Sequence, residues 1–572
     1  MKALAIRCGL AAFLLLAGSA WAVPAHYIVF EFDADGRATP VFHAQVEMAA
    51  DPSVGELPRL VSDTEVERIG YRAVKNGIIG ALRQIEVPRF LRAEFANDAD
   101  PHDATIVHHS NIENTQRAFV LRIALDAADS VDLETDAGVQ RIDLTALAAH
   151  AASLPLAATA LAKVDPAQVH AIEGSGAAGS PANRVDILVL GEGYTAAEQS
   201  AFDSHTTTLQ NAMFNVTPYR EYANFVNWRT GFVVSEQSGA DHPVYQAGCT
   251  TASCCTDPAA QNDPHAGMFV NTAFDGRYCS YNIHRLLTVS DSKIYAAAAG
   301  YPDWDAILVT VNDPVYGGAG GAFSVTSAHA EAPKVVIHEY GHSFHRLADE
   351  YDSPYPGYPS CSDFPAPGLG PCEANVTNQT VPDLIKWRSW FTSGIAIPTP
   401  SGTAGTGLFQ GARYQIFDMY RPVFNTCLMR SLITTFCPVC RQEYVKRLYR
   451  GGFGSPSGGI DLIEPGSEWP RPATPVRYAI NTTRMFSADI LTPAIGSVGI
   501  QWFLDGSPIG GANAASYAFS QASQTPATRT LQLRVADQTA FVNAAMADGL
   551  LVHTRSWTIQ VDNDRLFADG FE

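Results

Sequence analysis

Positive charge is scarce in this 572-residue chain. Thirty-eight Lys and Arg stand against 58 Asp and Glu, a formal net charge of -20, and no basic run breaks the pattern. That argues against a nucleic-acid partner or an anionic membrane surface. Long apolar runs are also missing: beyond the first 22 residues, no stretch reaches the roughly 20 residues of a membrane-spanning helix. Residues 23–165 contain no cysteine, so that region has no thiolate with which to cap a metal. The run Gly317, Gly318, Ala319, Gly320, Gly321 lacks the Lys-Ser/Thr ending of a phosphate loop, which argues against nucleotide binding. Hydrophobic residues make up 46% and charged residues 17%, a composition for packed domains rather than disorder.

The first 22 residues are predicted to be a secretory signal. Lys2 and Arg7 give a positive start, residues 10–16 a short apolar run, and Ala20-Trp21-Ala22 a small-x-small cleavage site. The mature protein is then secreted, extracellular or periplasmic. Cleavage removes Cys8 and leaves Cys249, Cys254, Cys255, Cys279, Cys361, Cys372, Cys427, Cys437 and Cys440. In an oxidising compartment these are expected to form disulfides that staple long loops, with one cysteine left over. Cys437-Pro-Val-Cys440 also has the spacing of half a zinc site or a redox pair, but no second CxxC and no thioredoxin pattern accompanies it.

The chemistry concentrates in residues 335–351, which contain His338-Glu339-x-x-His342. Residues four apart on a helix lie one turn above each other, so both imidazoles can face one metal ion. Glu339, beside the first ligand, can reach a water rather than the metal, the arrangement of zinc hydrolases. Val335, Val336, Ile337, Phe344 and Leu347 line the other side and predict burial. A third ligand is required. If the helix continued, Asp349 would lie about 10 Å beyond His342. The helix must therefore break between Phe344 and Leu347 for Asp349 to bind, and no Gly is present there. Glu350 is the competing ligand and His345 a weaker candidate.

The stretch HEYGHSFHRLADEY resembles the zinc helix of the IgA-peptidase-like metallopeptidases. Further segments are similar to that family: Val185 to Thr195, Pro218-Tyr219 with Phe225-Val226-Asn227, the glycine-rich run after Tyr316, and Asn425-Thr426-Cys427-Leu428-Met429-Arg430. The resemblance covers residues 184–450 and implies a metzincin-like zinc peptidase cutting protein or peptide substrates. It implies Zn2+ on His338, His342 and Asp349, with Glu339 catalytic and Met429 in the Met-turn. The departure is Arg346, where the family has Gly. A left-handed non-Gly residue there costs about 1–2 kcal/mol.

In order, the chain is expected to hold the signal peptide (1–22), a β-rich domain (23–165), a linker (166–183), the α/β peptidase domain (184–450), a linker (451–475) and an immunoglobulin-like β-sandwich with a short tail (476–572). Within the first domain Asp35-Gly36 marks a hairpin, and a helical insert is predicted over 66–85. Residues 185–190, 224–235 and 304–312 read as strands. Thr195 caps a helix with Glu198 three residues on. Residues 322–327 form a candidate edge strand, with Gly320, Gly321 and Ala322 placed to pair with substrate backbone. A helix closes the domain over 442–449. The rival to an enzyme is a non-catalytic secreted or surface-bound binding protein with a vestigial metal site. The intact Glu339 favours the enzyme.

Overall fold

The computed structural model describes residues 22–49, 66–96, 106–164, 179–354, 358, 360–364, 366–367, 369–432, 435–451, 459–521, 527–543 and 549–562. The expected signal segment up to residue 21, most of the 166–183 linker, part of the 451–475 linker and the tail from 563 lie outside the described residues. The protein is multidomain and β-rich, with many separate sheets.

The N-terminal region is built from antiparallel strands. Val23–Phe32 lies between Ala38–Met48 and Ala118–Ala124. A second sheet centres on Val66–Lys75, flanked by Ser130–Thr135, Ile78–Ile79 and Arg83–Pro88. The helix predicted over 66–85 is therefore corrected to strands. Val66, Ile69, Gly70, Ala73 and Val74 mimic a helical stripe, but Asn76 and Gly77 both take positive φ (51° and 77°) and close a hairpin. That Asn-Gly pair is a strong hairpin signal. A further hairpin pairs Phe90–Ala96 with Ile106–Glu113.

The central sheet has six strands in the order Lys163–Val164, Val226–Phe232, Val185–Glu192, Ala306–Val311, Ser324–Ser327, Gly318–Ala319. Its four inner strands are parallel and the two outer ones antiparallel. Val185–Glu192 is buried along its whole length, as an inner parallel strand covered on both faces should be. Thr195 and Glu198 form the expected capping box ahead of the helix Gln199–Phe214. The candidate edge over 322–327 is revised: Ser324–Ser327 is an inner strand, and Gly318–Ala319 is outermost.

The C-terminal region pairs Val498–Leu504, Ala527–Asp537, Val552–Asp562 and Val476–Ala479 in one sheet, and Thr483–Ser487 with Ser516–Ser520 in another. Trp502 and Trp557 stack in its core, ring centroids 5.4 Å apart. One apolar core runs continuously from the central sheet through the helix Pro438–Arg450 into these strands. At this junction Tyr222 and Tyr449 both donate to Asp537 Oδ2, at 2.6 and 2.7 Å.

Candidate metal centre

The helix Ala332–Ser343 lies against the strand Ser324–Ser327. Val335, Val336, Ile337 and Tyr340 are buried along it. It ends within the span the sequence pattern predicted: Arg346 adopts φ 61°, its amide donates to His342 O, and the Leu347 amide donates to Gly341 O, each at 3.2 Å. The left-handed turn is thus made without glycine and folds the following chain back over the helix.

That reversal brings Asp349 to the imidazoles. Its Oδ1 lies 3.2 Å from His338 Nε2 and 3.1 Å from His342 Nε2, and the two Nε2 atoms are 3.1 Å apart. His338 Nδ1 donates to Leu428 O at 2.9 Å and His342 Nδ1 to Leu347 O at 2.7 Å. A carbonyl can only accept, so both protons sit on Nδ1 and both neutral imidazoles present Nε2 lone pairs. Three acceptor atoms then face one point in a fully buried setting. A cation there resolves the repulsion, and His/His/carboxylate is a donor set that suits zinc.

The surrounding contacts orient this set. Tyr414 Oη donates to Asp349 Oδ2 at 2.5 Å, and the Arg413 amide donates to Asp349 O at 3.0 Å. Both residues take positive φ (50° and 60°) in the two-residue turn between Phe409–Ala412 and Gln415–Arg421. Tyr351 Oη lies 3.4 Å from His338 Nε2. Glu339 is buried, and its carboxylate packs against Gly320 so closely that no Cβ fits there. Met429 is fully buried; a Cβ on Gly341 would come within 2.7 Å of its Sδ, so the methionine fills the space beside the helix between the two histidines.

Glu350 does not join this group. Its carboxylate lies with Cys427, Cys437 and Cys440. Burial and the neighbouring Cys427 push its pKa well up. His345 also points elsewhere: its Nε2 lies 2.9 Å from Tyr219 Oη in an aromatic cluster, where burial pushes it down to about 3.

Of the strand candidates, Gly320 is at the open side of the central sheet, and Gly321 and Ala322 lead into Ser324–Ser327. That side is occupied by the N-terminal region. Arg92 N–H donates to Gly320 O at 2.9 Å, and Gly320 N–H donates to Arg92 O at 3.0 Å. Arg92 Nη1 lies 4.0 Å from Asp349 Oδ2, and Arg346 Nη2 is 2.9 Å from Glu86 Oε2. Pro88, Phe90 and Arg92 share a cavity of about 60 Å³ with Glu339 and His342. Arg92 and Tyr414 were not nominated by sequence; both reach the centre from far along the chain.

Three disulfides, Cys249–Cys254, Cys255–Cys279 and Cys361–Cys372, staple loops as expected. Three cysteines rather than one remain unpaired: Cys427, Cys437 and Cys440. No described helix is long and apolar enough to cross a membrane.

A helix-borne His pair and a returning carboxylate form a group that could hold a metal ion. Residues 175–404 match the model of the IgA Peptidase M64 family, which supports the resemblance to the IgA-peptidase-like metallopeptidases that its motifs carry. The match stops short of residues 405–450, including Met429. No curated protein matches the chain. Among solved structures, a chain named as a beta-galactosidase from Bacteroides fragilis aligns at 9% identity and TM-score 0.12, over 96% of this chain and 71% of that one. So low a score carries no argument about the fold.

Proposed function

We propose that the chain is a secreted zinc endopeptidase, with His338, His342 and Asp349 as metal ligands and Glu339 as general base. The observation that carries this reading is the pair of tautomer-fixed imidazoles, whose Nε2 atoms converge with Asp349 Oδ1 while Glu339 stands next to the first of them. Zinc, when bound, supplies Lewis acidity and brings the pKa of a bound water to about 7. Glu339 takes the water's proton on a carboxylate oxygen and passes it to the leaving amine nitrogen. Its burial against Gly320 keeps that proton from bulk solvent. Tyr414 and the Leu428 and Leu347 carbonyls hold the three ligands in one orientation. Substrate backbone adds as a strand at Gly320, where affinity comes from main-chain hydrogen bonds.

On the same reading, Phe90–Ala96 acts as a plug, because Arg92 makes at Gly320 the hydrogen bonds a substrate strand would make. The modules are read as 23–165, a metzincin-like 184–450 and an immunoglobulin-like 476–572. Export is supported by three disulfides and by the sequence of the first 22 residues. The test is Glu339→Gln. The variant should keep its zinc and lose cleavage of unfolded casein, as chelator-treated wild type does. Wild-type cleavage by the variant ends the proposal.

A further inference from the structure

We propose a second, structural metal site formed by Cys427, Cys437, Cys440 and Glu350, taking a thiophilic divalent cation of the zinc class. Cys440 Sγ lies 3.6 Å from Cys427 Sγ, 3.5 Å from Cys437 Sγ and 3.6 Å from Glu350 Oε1. All four residues are fully buried or nearly so, and their donor atoms lie within 4.8 Å of one another. A tetrahedral zinc with bonds of about 2.3 Å to sulfur separates its thiolates by about 3.8 Å. The observed spacings are close to that edge and far from the roughly 2.05 Å of a disulfide. The contrast is internal to the molecule, since the other six cysteines beyond residue 22 are joined in pairs.

The helix start favours negative charge at Cys437. Cys437 is the N-cap of the helix Pro438–Arg450 and Cys440 lies in its first turn, where the helix dipole stabilises negative charge. The Cys437 amide points at Cys427 Sγ, 3.5 Å away. Glu350 Oε1 accepts from Asn375 Nδ2 at 3.1 Å, while Oε2 makes no hydrogen bond despite complete burial. That buried oxygen lacks a partner, and a cation held by the three sulfurs would supply one. Three sulfurs select zinc-class ions over calcium or magnesium. With four protein ligands the site is closed, as structural zinc sites are.

Its position gives it a purpose. Glu350 follows Asp349 directly, and its amide donates to Met429 O at 2.9 Å, next to the Leu428 carbonyl that orients His338. The second ion would therefore tie the return segment 349–350 to the 427–429 segment, and so fix the carboxylate of the first centre.

The test measures metal in the intact protein. Wild type should carry two zinc ions per chain, and His338→Ala/His342→Ala should keep one. That double variant, reconstituted with Co2+, should show a thiolate-to-cobalt charge-transfer band, which a His/His/Asp site cannot give. In the chain from residue 23 onward, three thiols should titrate after denaturation with chelator. A peptide map with Cys427, Cys437 or Cys440 in a disulfide overturns the proposal, as does a double variant that binds no metal or gives no thiolate band. None of these readings depends on peptidase activity or on cysteine variants that fail to fold.

Discussion

The turn at Arg346 sets where Asp349 lands, and replacing that residue tests it directly. At φ 61° a Cβ costs about 1–2 kcal/mol, which Arg346→Gly removes. Against that, glycine adds about 0.5–1 kcal/mol of unfolded-chain freedom. It also loses the partly exposed ion pair to Glu86, worth about 0.5 kcal/mol. Arg346→Gly should therefore lie between about 0.5 kcal/mol below and about 1 kcal/mol above wild type. Arg346→Ala loses the same ion pair but keeps the left-handed Cβ, so it should be less stable than the glycine variant by about 0.5–1 kcal/mol. In a helix interior the order reverses, with alanine ahead by about 1 kcal/mol. The sign of the Ala–Gly difference is thus diagnostic of backbone conformation. Guanidinium unfolding of the zinc-loaded protein, backed by hydrogen exchange at residues 347–350, reads it. An alanine variant as stable as the glycine variant, or more so, would refute a left-handed turn at 346 and with it the account of how Asp349 reaches the imidazoles.

Tyr414→Phe removes the hydroxyl on Asp349 Oδ2 and should weaken zinc binding by about 10–100-fold, read by competition with a chromogenic chelator; unchanged affinity refutes its orienting role. Burial alone would lower the pKa of His242, but its hydrogen bonds to Asp263 and Asp313 and their charges raise it to about 9. The stability this contributes is complete below pH 6.5 and is lost as pH rises towards 9. The gap in melting temperature between wild type and His242→Gln should narrow over that range, and a constant gap contradicts the assignment. Glu86→Ala/Arg92→Ala should loosen the N-terminal plug, raising affinity for a peptide hydroxamate at least tenfold and speeding exchange of the Gly320 amide. Equal affinity in both forms removes the plug.

The parts legible in sequence were those whose geometry is local. His338 and His342 are four apart on one helix, so their convergence follows from helical pitch alone. The capping box at Thr195 and Glu198 and the apolar run of Val185–Glu192 are local in the same sense. The 66–85 segment failed because its apolar spacing fits a helical face, while the Asn76-Gly77 pair that marks the hairpin was passed over. Tyr414 and Arg92 were invisible for a different reason. Each meets Asp349 only through tertiary folding, one from a turn 65 residues downstream and the other from a separate sheet region.

Asp349 and Glu350 show where local reasoning stops. Both are acidic and both follow the same helix, so composition could not rank them. Once the chain leaves the helix through Arg346, successive side chains diverge: Asp349 meets nitrogen ligands and Glu350 meets three sulfurs. The two carboxylates are alternatives only if one metal site is assumed. With two sites, a single backbone segment supplies both, and any shift of the chain at 349–350 disturbs the pair together. That coupling explains why a buried glutamate can sit beside a metal-facing aspartate. Each carboxylate has its own cluster of donors, and on the two-site proposal two separate cations would offset the cost of burying both.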